Sequence, residues 1–108
     1  MNIENAKQQM KKGVIELCVL SIIKNNESYP SDIINELQAA KIIVVEGTLY
    51  PLLTRLKNNS ILSYRWVESE SGPPRKYYSL TPEGETYFNG LLEAWQELTK
   101  VVNKATKQ

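Results

Sequence analysis

The chain has 108 residues, a formal net charge of +1 and apolar side chains at 42% of its positions. That describes one folded domain with a modest core, and the charge sum by itself points to no polyanion partner. With no histidine and one cysteine, it cannot build the common transition-metal sites, a Ser-His or Cys-His nucleophile pair, or an internal disulfide.

No apolar run approaches the roughly 18 to 20 residues that span a bilayer. The start, MNIENAKQQMKKG, carries no small-residue cleavage site, so the chain reads as cytoplasmic and not membrane-bound. The carboxylates are scattered along helix faces, which supports no enzyme and calls for no cofactor. The charges are unevenly spread. Residues 1–40 hold four cations against five acids, residues 41–80 six against three, and residues 81–108 three against four. The middle third is therefore the place to look for phosphate contact.

In chain order, MKKGVIELCVLSIIKNN predicts a first helix from about Glu4 to Asn25. Val14, Ile15, Leu17, Cys18, Val19, Leu20, Ile22 and Ile23 surround it with apolar side chains. Such a helix is covered on more than one side, either as the centre of a small core or by another chain. Cys18 reads as a small core residue, with a reactive thiol as the alternative. After the turn NNESYPS, Pro30 opens a second helix to about Ala40 with Ile33, Ile34 and Leu37 on its inner face.

A third helix, TLYPLLTRLKNN, follows with Gly47 expected as its N-cap. That placement makes Pro51 the fourth helical residue, where a missing N–H costs nothing. Leu49, Leu52, Leu53 and Leu56 face inward, leaving Thr48, Tyr50, Pro51, Thr54, Arg55 and Asn58 outside.

ILSYRWVESES and RKYYSL alternate as two strands of an antiparallel hairpin, with residues from about Ser69 to Pro74 as the tip. Tyr78 shares a face with Leu80 and is expected in the core, and Trp66 is expected to close the base of the hairpin. Thr81 then N-caps a last helix with Pro82 in its first position. This helix runs to about Lys104, roughly 35 Å at 1.5 Å per residue. Its apolar residues Phe88, Leu91, Trp95, Leu98, Val102 and Ala105 step by three and four, a short coiled-coil seam. The seam predicts a homodimer contact, to which Val14 and Leu17 of the first helix contribute.

The resulting fold class is mainly α with a two-stranded β-hairpin: a winged helix-turn-helix over residues 1–80 and a C-terminal dimerisation helix over 81–108. At this level EGTLYPLLTRL (Glu46 to Leu56) and GPPRKYYSLTPEG (Gly72 to Gly84) resemble the PadR-like transcriptional regulators, in particular their short members with a single C-terminal helix. The two motifs cover about a quarter of the chain, and the element order extends the likeness over nearly all of it.

The resemblance implies a dimeric repressor that binds double-stranded DNA at a pseudo-palindromic operator. It carries recognition-helix positions onto Thr48, Tyr50, Pro51 and Arg55, and a basic wing onto Arg75 and Lys76. Thr48 and the amides beside it suit a phosphate oxygen, Tyr50 a phosphate or a base methyl, and Arg55 a phosphate or guanine. Each has a plainer alternative: helix packing for Tyr50, a solvated strand end for Arg75 and Lys76, and an ion pair with an acid on a neighbouring helix for Arg55. Some short members bind flat apolar compounds at an aromatic-lined dimer cavity, where Trp95 stands in this chain; the alternative is a tryptophan that packs the interface. The chain departs from the family pattern at Pro30, at Ser60, where Asn59 is expected to take the left-handed turn instead, and at Pro73, which removes a wing arginine. The competing reading is a winged-helix ligand-binding or interaction module without strong DNA affinity.

Overall fold

The computed structural model describes residues 1–107. Its elements are α1 (Ile3–Lys12), α2 (Ile15–Asn25), α3 (Pro30–Ala39), α4 (Glu46–Asn58), β1 (Leu62–Ser69), β2 (Gly72–Leu80) and α5 (Pro82–Ala105).

The expected first helix is two helices. Gly13, a weak helix former, and β-branched Val14, at φ −115° and ψ 0°, interrupt it. The Val14 amide closes back on the Lys11 carbonyl at 3.0 Å, and the Cys18 amide starts the next helix on Val14 at 3.0 Å. The break separates two chemistries. α1, capped by the Asn2 side chain, buries none of its residues, whereas α2 buries Val19, Leu20 and Ile23 at the centre of the chain's own core. Cys18 is half-buried, and burial pushes its thiol pKa up, which favours the plain core reading over a reactive thiolate.

α2 packs against α3, β2 and α5, and α4 packs against α3 and β1. Leu20, Ile33, Leu37, Leu49, Leu53 and Leu56 are fully buried where these helices meet. α3 and α4 end alike. Lys41 and Ser60 each take φ 64°, and the following amides, Ile42 and Ile61, reach back to Leu37 and Leu56 carbonyls at 2.8 and 2.9 Å. This is the six-to-one closure of a Schellman motif. At the second of these ends Ser60 is left-handed, not Asn59, which stays at φ −91°.

α4 begins earlier than expected, with Val45 as N-cap and Glu46 as its first residue. Pro51 is consequently the sixth helical residue, inside the ladder, where its absent N–H leaves the Gly47 carbonyl without its usual donor.

The two strands form the expected antiparallel hairpin, which pairs Leu62 with Leu80, Tyr64 with Tyr78 and Trp66 with Lys76. Tyr78 is buried. The tip is shorter than expected: Glu70 and Ser71 turn the chain, and Pro73 and Pro74 lie in β2. There the pairing shifts, with one residue of β1 opposite two of β2 between the Val67–Arg75 and Ser69–Gly72 pairs. Neither proline can donate to the ladder, so an irregularity is where they fit. Trp66 does not close the base of the hairpin; it is 61% exposed.

At the start of α5, Thr81 Oγ1 accepts from the Gly84 amide at 2.9 Å and donates to the Ser60 carbonyl at 2.6 Å. The helix is held to the core by buried Gly84 and Phe88 and by Leu91. Beyond that turn it leaves the body of the chain, which is 54 Å in its longest dimension. Among the described residues, no helix is long and apolar enough to cross a membrane.

Candidate nucleic-acid interface

The outer face of α4 follows from the four leucines that anchor its inner one. With Leu49, Leu53 and Leu56 buried, the period of 3.6 residues turns Tyr50, Pro51, Thr54, Arg55 and Asn58 outward. These five, with Asn59, border one open depression along the helix. Tyr50 is 46% exposed, so packing into the helical core is not its role here.

The hairpin stands beside this face. Tyr50 and Thr54 of α4, Trp66 of β1, and Pro74, Arg75 and Lys76 of β2 line a single groove, floored by Tyr78 and closed by Tyr29, the N-cap of α3, and by Pro30 and Ser31 of its first turn. The fold thus brings Tyr50, Arg75 and Lys76 together. Thr48 lies on the opposite flank of α4, in a depression shared with Lys11, Lys12 and Arg55. Its amide, expected to meet phosphate, already donates to the Val45 carbonyl at 3.0 Å, so what it offers a ligand is its hydroxyl.

Strand alternation sends Arg75 and Lys76 to opposite faces of the hairpin, and each rests on aromatic surface. The Arg75 guanidinium lies 4.7 Å from the centre of the Tyr29 ring. Lys76 Nζ lies 4.5 Å from the Tyr64 ring and 5.3 Å from Trp66. A cation held over a ring face keeps its charge while its stem loses freedom, which suits contact with a phosphate row. Lys57 approaches Tyr64 from α4 at 5.8 Å, adding a third cation to this side. Glu46 is the one acid in the groove wall.

Arg55 makes the ion pair that is one of its two alternatives. Its guanidinium Nη2 donates to Glu16 Oε1 of α2, the ion pair with a neighbouring helix. Its side chain nevertheless remains 55% exposed and borders the outer face of α4.

A second groove, of about 160 Å³, runs between the start of α2 and the middle of α5. Gly13, Val14, Glu16, Leu17, Leu91, Ala94, Trp95 and Leu98 line it. Five of the seven residues read as dimer contacts therefore converge on one surface. Phe88 is buried within its own chain, and Val102 stands exposed farther along α5.

Comparison with known proteins now decides the family. The family model described as the transcriptional regulator PadR-like family matches residues 19–90, more than half of the chain. The chain belongs to the PadR-like family. A PadR-like transcription factor from Bacteroides fragilis is 54% identical, with 94% of this chain and 98% of that one covered and a TM-score of 0.78. A PadR-like transcriptional regulator from Bacillus cereus is 32% identical, covering 93% and 98% of the two chains with a TM-score of 0.80. A PadR-family regulator from Eggerthella lenta superposes with a TM-score of 0.91 at 27% identity over 98% of this chain and 93% of that one. This PadR-like protein is a transcriptional regulator, not an enzyme, and regulators of its family bind DNA.

Sequence reasoning missed Tyr29, Ser31, Glu46 and Trp66 as lining of the groove between α4 and the hairpin, and Lys57 beside it. The signal for Trp66 was present, since it shares a strand face with Lys76 across from Tyr50. Tyr29 lies outside any periodic segment and is brought in only by an isolated bridge between Ser28 and Tyr78.

Proposed function

We propose that this PadR-like chain is a homodimeric repressor that reads a pseudo-palindromic operator with α4 in the major groove and the hairpin on the flanking backbone. The observation that carries the reading is the groove in which Tyr50, Arg75 and Lys76 converge between α4 and the wing. Thr48, Tyr50, Pro51 and Arg55 meet the major groove edge, and Arg75 and Lys76 meet phosphates. The dimer forms through the α2–α5 surface, where Val14, Leu17, Leu91, Trp95 and Leu98 leave apolar area uncovered in the single chain. Phe88 and Val102 extend that contact along α5.

A flat apolar compound stacking on Trp95 at this interface is the signal that modulates binding. Trp95 is 43% exposed and stands in the wall of the groove. A two-fold dimer places its recognition helices about 34–36 Å apart, one turn of the duplex.

The test is a mobility-shift titration against DNA upstream of the protein's own gene, paired with sedimentation of the free protein. The expected result is a dimer that forms one saturable complex with that DNA at concentrations where unrelated duplex stays free, and that weakens steeply with salt. A monomer, or equal affinity for both duplexes, overturns the reading in favour of a module without specific DNA binding.

A further inference from the structure

Among the described residues, Glu16 is the one acid whose side chain bonds to both α4 and α5. It projects from the first turn of α2. Its Oε1 accepts from Arg55 of α4, and its Oε2 accepts from the Tyr87 hydroxyl of α5 at 2.8 Å. Both carboxylate oxygens are thus engaged, by partners 39 and 71 residues away in sequence. The Glu16 side chain is only 22% exposed, against 55% for Arg55. The carboxylate is the fixed member of the pair and the guanidinium the reaching one.

We propose that the Tyr87–Glu16–Arg55 chain is a positioning relay that holds Arg55 in its DNA-ready orientation and makes that orientation depend on where α5 lies. The inference rests on the reading that α4 meets DNA. Its physical basis is the donor inventory of arginine. The guanidinium has five N–H groups in a fixed fork, and the relay engages Nη2 alone. The Arg55 side chain also borders the depression lined by Tyr50, Pro51, Thr54 and Asn58. Arg55 can therefore contact a phosphate or a base edge without releasing Glu16. A long side chain already immobilised loses less freedom on binding than one free in solvent.

Tyr87 makes the device conditional. It belongs to α5 and does not border either depression on the DNA side. Its hydroxyl holds the carboxylate's second oxygen, and the bond to Glu16 raises the Tyr87 pKa, which keeps that proton in place. Glu16 also forms part of the wall of the α2–α5 groove. A change in that groove and a change in Arg55 therefore pass through the same carboxylate.

The test is a double-mutant cycle with Tyr87→Phe and Arg55→Ala, read as affinity for operator DNA and as its salt slope. Tyr87→Phe changes no charge and removes one hydroxyl distant from the DNA face. Freezing one rotamer-rich side chain is worth about threefold to tenfold in affinity. Tyr87→Phe is expected to weaken operator binding by about that factor in the native background and to have no effect once Arg55 is alanine. Glu16→Gln, which keeps the shape, an acceptor for Arg55 and an NH2 that the Tyr87 hydroxyl can accept from, is expected to give a smaller loss even though it removes a negative charge near DNA. Thermal unfolding of each variant separates folding defects from the relay. Unchanged or tighter operator binding by Tyr87→Phe overturns the relay, as does an equal loss in the Arg55→Ala background. Failure of the native protein to bind any duplex instead overturns the DNA-binding reading itself.

Discussion

Gly84, in the first turn of α5, lies so close to Ile61 that a Cβ at that position would clash with the Ile61 carbonyl oxygen, well inside van der Waals contact, and stand 3.1 Å from its carbon. The same carbonyl accepts from the Thr81 amide at 3.1 Å. The end of α4 and the start of α5 are thus sealed backbone to backbone, and the opposing atoms belong to a main chain that cannot rotate away. Gly84→Ala is expected to cost at least about 2 kcal/mol, since overpacking against backbone is not relieved by a rotamer change. Thermal unfolding should show a fall of roughly 8–16 °C for a domain of this size. An unchanged midpoint would mean that the helix moves off freely.

The left-handed turns at Lys41 and Ser60 predict the opposite sign. Both residues hold φ 64° to close helix ends, a conformation that costs a residue with a Cβ roughly 1–2 kcal/mol. Glycine removes that cost and adds part of it back as chain entropy in the unfolded state. Lys41→Gly and Ser60→Gly are each expected to stabilise by up to about 1 kcal/mol, raising the urea midpoint without changing its slope. Each turn takes a single residue, so the two gains should add.

What was legible in the residues and what was not divides along physical lines. Period-two alternation was enough to find the two strands and to put Tyr78 and Leu80 on one face, because successive side chains of a strand point to opposite sides. The register that sets Tyr64 opposite Tyr78 and Trp66 opposite Lys76 is fixed by the turn at Glu70 and Ser71. Capping chemistry placed Thr81 and Pro82, since few residues satisfy an orphan helix amide. The break at Gly13 escaped because a single glycine is tolerated inside many helices, so the interruption lies only in the backbone at Gly13 and Val14. The Arg55–Glu16 and Arg65–Glu27 pairs span 39 and 38 residues. Such contacts follow from how distant parts of the chain pack, which no local period encodes.

The second of these pairs yields a pH signature. Arg65 donates to Glu27 through both Nε, at 2.8 Å, and Nη2, at 2.6 Å. The hydrogen bonds from Arg65 are the main reason that the Glu27 carboxyl sits below its ordinary value of 4.5. A carboxylate lowered in the folded state contributes stability above its unfolded pKa and loses it as pH falls through the folded one. Native protein should therefore lose stability below about pH 4.5 more steeply than Arg65→Gln, the two running parallel above that range. The pair is exposed, so the difference should be small and shrink further in 1 M salt. Urea midpoints across the acid range check this, and equal acid slopes for the two proteins would deny the pair any linkage.

The two tryptophans stand on different surfaces and allow the wing and the α2–α5 groove to be read separately. Trp66 is 61% exposed and lies under Lys76 on the wing, whereas Trp95 is 43% exposed and lies in the α2–α5 groove. In Trp95→Ala, only Trp66 fluoresces, and operator DNA should quench it while flat apolar dyes leave it unchanged. In Trp66→Phe, the remaining Trp95 signal should respond to dye and hardly to DNA. Lys76→Ala should reduce the slope of log affinity against log salt by about 0.9 if its ammonium meets one phosphate, and Arg75→Ala should do the same from the other face. Dye quenching that survives Trp95→Ala would remove the ligand from the groove. A salt slope unmoved by both wing substitutions would leave Tyr29, Tyr64 and Trp66 as packing for idle cations, and confine DNA contact to α4.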